Sequence, residues 1–181
     1  DDPVVGLTTG VVRMTDHGFF DAAFNPGALH GRRVLQSEHP VVGRALAKQS
    51  DDKLVVSGYS ANPDGRAGIG IWRLNADGSN DTGFGEVDGV GFHVHPAWPA
   101  YSHRTTAVST AQWGIVSPVS RRILILGYIA SYDAGFQLLR LDEAGQPDPD
   151  FGNAGWVGLS FHPTPDLDTS LDSMILTRLQ S

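Results

Sequence analysis

The chain has 181 residues, a net charge of −7, 40% hydrophobic residues and no cysteine. The acidic balance argues against a phosphate-backbone partner, so no nucleic acid is expected, and the lack of thiols excludes disulfides and thiolate chemistry. No apolar run approaches the roughly 20 residues of a membrane-spanning helix, so no membrane insertion is expected; 22 Gly and 11 Pro suit a turn-rich, all-β chain.

Along the chain, the block GVVRMTDHGFFDAAFN, opening at Gly10, starts apolar and turns polar around His17 and Gly18. An apolar run follows at 41–47. KLVVSG at 53–58 is a short aliphatic run closed by glycine, which reads as a buried strand because it is too short for a useful helix. Residues 70–74 predict another strand, ended by Ala76-Asp77-Gly78, where Asp-Gly supplies the positive φ of a tight turn. A further run lies at 90–94. RILILG at 122–127 repeats KLVVSG, and 156–161 repeats 90–94. No segment has a convincing helical period.

The opening block recurs as GIWRLNADGSNDTGFG from Gly70 and FQLLRLDEAGQPDPDFG from Phe136. Alignment brings together Arg13, Arg73 and Arg140, then Gly18, Gly78 and Gly145, then Asp21, Asp81 and Asp148, then Phe24, Phe84 and Phe151. Successive copies are offset by 60 and 67 residues. A long period of short strands predicts a repeat architecture in which each unit buries its face on a neighbour. Four-stranded units of about 40 to 60 residues fit a β-propeller, since solenoid β-helices use shorter coils and sandwiches rarely carry such a repeat. The pattern R-L-x-x-x-G-x-x-D-x-x-F-G, preceded by QSDDKLVVSG at 49–58, resembles the delta-60 repeat β-propeller family. The likeness covers nearly the whole chain and is strongest in the second copy; Asn25 stands where Gly is usual, and Ser120-Arg121 replaces an acidic turn. The resemblance implies a fold and no reaction.

The predicted division is a partial blade at 1–40, blades at 41–96 and 97–163, and the first strand of a further blade at 164–181. LTRLQS at the end reads as a blade start, like LAKQS at 46–50, and DDPVVGL at the beginning reads as its continuation. Three blades do not close a ring, because propellers need about four to eight. A two-fold homodimer with shared terminal blades gives six; three copies would give nine, too many. The other reading is that these residues are a sector of a longer polypeptide, since the first residue is Asp1 rather than Met. Two Lys among many Asp, Asn, Thr and Ser tilt the expected location toward periplasm or exterior, without fixing it.

The main departure from the repeat is the segment 93–113, where the spacing from Phe84 to Arg122 exceeds that from Phe24 to Lys53 by about nine residues. Insertions in repeat proteins map to loops on one face, often the binding face. Trp98, Tyr101, His103, Arg104 and Trp113 combine flat apolar faces with polar tips, as a glycan or protein ligand requires. The same residues also fit a Pro-stiffened loop whose Trp caps a sheet edge. His93 and His95, two apart on a strand, share a face and form a candidate imidazole pair for a metal. Asp77-x-Ser79-x-Asp81 has the alternation of a calcium loop without the later Glu. Ser79 to Gly83 also resembles half of the Asp-box turn of sialidase propellers, without its Thr-Trp ending. Arg13, Arg73 and Arg140, with Asp21, Asp81 and Asp148, recur in every copy, which suits a structural peg between blades better than one asymmetric catalytic site. Phe24, Phe84 and Phe151 are the matching core anchors. No nucleophile elbow, phosphate loop, dinucleotide fingerprint or zinc-protease motif occurs, and no cofactor is expected. The leading reading is a non-enzymatic propeller that binds or scaffolds a protein or glycan. A channel-sited hydrolase or lyase, or a structural segment of a larger surface protein, stands as the alternative.

Overall fold

A computed structural model of the chain describes residues 9–35, 41–61, 67–85, 89–93, 115–116, 122–129 and 135–159. They form an all-β array of small antiparallel sheets. The strands are β1 (Thr9–Val12), β2 (Arg32–Leu35), β3 (Val41–Lys48), β4 (Leu54–Ala61), β5 (Ala67–Leu74), β6 (Val90–His93), β7 (Ile115–Val116), β8 (Ile123–Ile129), β9 (Gly135–Leu141) and β10 (Trp156–Leu159). Among the described residues β1 and β2 form a two-stranded sheet, while β3-β4-β5-β6 and β7-β8-β9-β10 are four-stranded meanders in which every neighbour follows in sequence. Among the described residues no helix is long and apolar enough to cross a membrane.

Strand alternation decides how the sheets pack. On β5, Ile69 and Ile71 point to one face and Trp72 and Leu74 to the other, as the two-residue period requires. Ile69 and Ile71 join Val55, Phe84, Ile123, Ile125, Leu139, Leu141 and Trp156 in one buried cluster between the second and third repeats. Trp72 and Leu74 join Val56 with Val11, Phe24 and Leu35 in another, between the first and second. The middle sheet is thus buried on both faces. Each fully buried side chain of this size contributes roughly 1.5–3 kcal/mol, so the stack is held chiefly by face-to-face burial.

The observed strands differ from expectation at their ends. β4 and β5 extend through Ser60, Ala61, Ala67 and Gly68, small residues with no apolar signal, and their pairing continues to Ala61↔Ala67. β2 and β7 carry too few apolar residues to stand out in the sequence and are defined by their partners: β2 pairs with β1 and β7 with β8. A register shift between Gly43 and Ala45 bends β3 against β4.

Candidate functional site

The repeated block folds into the same unit three times. In each copy a tight turn closes the hairpin end: Gly18, Gly78 and Gly145 donate their N–H to the carbonyls of Thr15, Asn75 and Asp142 at 2.9, 2.9 and 3.2 Å. The chain then folds back, so that the N–H groups of Asp21, Asp81 and Asp148 bond the carbonyls of Arg13, Arg73 and Arg140. This brings the two charged side chains together across eight residues. Arg13 Nε donates to Asp21 Oδ2 at 2.8 Å, Arg73 to Asp81 at 2.6 Å and Arg140 to Asp148 at 2.8 Å. The other carboxylate oxygen caps the N–H two residues on, at Ala23, Gly83 and Asp150. Each guanidinium also lies over the phenylalanine of its own block, 4.8 Å from the Phe24 ring, 4.3 Å from Phe84 and 4.4 Å from Phe151.

The ion pair therefore lies inside one repeat, and the link to the neighbour uses other atoms. Arg13 Nη1 donates to the Ala76 carbonyl, and Arg73 Nη1 to the equivalent Glu143 carbonyl at 2.7 Å. Beside these, Asn25 N–H bonds Asp77 O at 2.6 Å and Gly85 N–H bonds the equivalent Ala144 O at 2.8 Å. Asn25 occupies the left-handed region with φ 49°, where Gly85 has φ 74°; Asn tolerates that conformation better than most residues, which explains its substitution for glycine. The incoming turn is glycine for two reasons. Gly78 and Gly145 both have φ +85°, and a Cβ there would meet the rings of Phe24 at 2.8 Å and Phe84 at 2.6 Å. Arginine, aspartate and phenylalanine from one repeat thus clasp the glycine turn of the next. Arg33 Nη2 adds a bond to Asn80 Oδ1 at 2.9 Å across the first junction.

A second cation completes two of the three carboxylates. Lys53 Nζ reaches Asp81 Oδ2 at 2.7 Å, and Arg122 Nε reaches Asp148 Oδ2 at 3.1 Å. Burial pushes the Asp81 carboxyl up, but the hydrogen bonds and charges of Lys53 and Arg73 outweigh it and hold it below the ordinary carboxylate range. At Asp148 burial is likewise outweighed, by the Asp150 N–H and by Arg140 and Arg122. Sequence reasoning singled out the Arg and Asp but not these partners. The signal was present, since a basic residue opens both KLVVSG and RILILG.

Of the candidates in the 93–113 segment, only His93 is among the described residues: it ends β6, its backbone paired to Ile69. His95, Trp98, Tyr101, His103, Arg104 and Trp113 lie outside the described residues. Among the described residues no three His, Asp or Glu side chains gather as a metal set. In the calcium-like loop, Asp77 Oδ1 accepts from both Ser79 N–H and Ser79 Oγ, which lowers its pKa. Asp81 is turned away toward Arg73 and Lys53. The alternation in the sequence is that of an Asp-capped turn. Phe24 and Phe84 are fully buried, whereas Phe151 is half-buried at the edge of a third apolar cluster with Leu124, Leu126, Leu138 and Val157.

Residues 49–84 match a family described as a domain of unknown function (DUF5122) beta-propeller. The matched stretch begins at the turn before β4 and ends on Phe84 of the clasp. It supports a β-propeller repeat family for this chain. Neither a curated protein nor a solved structure matches.

Proposed function

We propose that the chain is a non-enzymatic β-propeller module of the delta-60 repeat type, serving as a scaffold or binding platform for a protein or glycan. Its repeats are blades, divided at 41–96 and 97–163, and a second copy completes the partial blade of 1–40 with its residues 164–181 to give a six-bladed ring. One observation supports this most: each recurring Arg–Asp pair is engaged within its repeat, and at both internal junctions the arginine also bonds the neighbouring turn. The chemistry shared by all copies is that of assembly. Ligand contact then falls to the segment where the repeat is broken, 93–113, through Trp98, Tyr101, His103, Arg104 and Trp113.

Light scattering on a sizing column tests the assembly. A species near twice the chain mass of 19.4 kDa, stable on dilution, is expected. A folded monomer at all concentrations would refute the ring.

A further inference from the structure

The two ends of the array carry opposite halves of a contact that the chain makes twice within itself. At the first end, Val12 and Met14 are each 55% exposed, although their equivalents Trp72, Leu74, Leu139 and Leu141 are 0–2% exposed. Those equivalents are covered by the preceding repeat, through the clusters around Phe24 and Phe84. The adjacent turn is ready-made as well. Gly18 has φ +82° like its two counterparts, yet a Cβ there would meet nothing within 4 Å. Its neighbour Phe19 is 73% exposed. At the other end, Arg140 lies over Phe151 and holds Asp148 as in the internal clasps, but Phe151 is only half-buried.

We infer that the 15–19 turn of one copy seats on Phe151 and Arg140 of a second copy, in the geometry of the two internal junctions. This deepens the homodimer reading above and rests on it. By equivalence, Arg140 Nη1 donates to the Asp16 carbonyl of the second copy, the Gly152 N–H donates to its His17 carbonyl, and its Gly18 lies flat on the Phe151 ring. Val12 and Met14 then cover Leu138 and Val157. A second copy is the fitting occupant because both halves of the contact are in this one sequence. Each copy offers one turn and takes one, so two contacts related by a two-fold axis leave no half unused, the closed symmetry usual for self-association.

The experiment places photoreactive benzoylphenylalanine at position 151 of the full chain and mixes isotopically heavy and light protein before irradiation. Cross-links from heavy to light chains, mapping to residues 15–19, are expected. In parallel, Met14→Asp, at a side chain 55% exposed in the single chain, should weaken the dimer about ten- to a hundredfold by burying a charge at the junction, with the far-ultraviolet circular dichroism unchanged. Were the wild type dimeric but the cross-links to map elsewhere, or Met14→Asp to leave the dimer constant unmoved, this seat would be wrong while the dimer stood. Cross-links confined to a single chain would assign the seat to this chain's own terminal residues and overturn the inference. A wild type monomeric throughout would overturn both.

Discussion

Replacing Phe84 by alanine tests whether the repeats are interlocked through the clasp. Phe84 has no exposed surface and belongs to the cluster joining the second and third repeats. Its ring lies under the Arg73 guanidinium at 4.3 Å and against the Gly145 turn. Deleting a buried aromatic ring costs about 3–5 kcal/mol, and loss of the cation–π contact adds roughly 0.5–2 kcal/mol. Against a typical domain stability of about 5–15 kcal/mol, the variant should lose roughly a quarter or more of its resistance to denaturant. Guanidinium unfolding followed by tryptophan fluorescence is the suitable assay, because Trp156 lies in the same cluster. Wild-type transitions seen by fluorescence and circular dichroism should coincide, whereas in Phe84→Ala the third repeat should lose its packing first. A loss below about 1 kcal/mol, the size of an ordinary surface substitution or little more, would refute the interlock.

Gly145→Ala should destabilise by about 2–3 kcal/mol, since the new methyl meets the Phe84 ring at 2.6 Å and the residue must keep φ +85°; a melting temperature equal to wild type would contradict the geometry. The folded-state pKa values of Asp81 and Asp148 are depressed, so their contribution is complete above the unfolded carboxylate value of about 3.9 and is lost as pH falls through the lower folded values. Denaturant midpoints should therefore drop steeply below about pH 4, and less steeply in Asp81→Asn; equal acid slopes in the two proteins would count against the ion pairs. Trp98→Ala with Tyr101→Ala should abolish binding on glycan and protein arrays while leaving the melting curve in place; retained binding would remove the 93–113 segment from the proposed role.

The strands were legible because buried strands need aliphatic runs: 53–58 and 122–127 mark β4 and β8, and 70–74 marks the core of β5. Their full lengths were not, because Ser60, Ala61 and Gly68 pair through backbone atoms that carry no sequence identity. The same reason hid the link between repeats. Arg73 could be read as a peg, but its acceptor is the Glu143 carbonyl, which any residue at that position would supply. By contrast the glycine of the turn was legible from its recurrence, and the structure adds a steric cause, the phenylalanine of the preceding repeat, that local turn chemistry does not contain. Lys53 was visible as a recurring basic residue; pairing it with Asp81, 28 residues on, required the hairpin β4–β5 to be folded first.

Differences among the three copies say more than their likeness. The second repeat has a neighbour on both faces and contains the stretch that matches a propeller family. The first repeat keeps the same hairpin but places Val12, Met14 and Phe19 at the surface, and the third keeps the Arg–Asp–Phe set while leaving Phe151 half-covered. The exposed Val12, Met14 and Phe19 at one end of the described array and the half-covered Phe151 at the other are the two surfaces that the proposed contact between copies would bring together. It follows that the surfaces least constrained by assembly are the insertions between strands. Any ligand specificity is therefore to be sought where the repeat is broken rather than where it is kept.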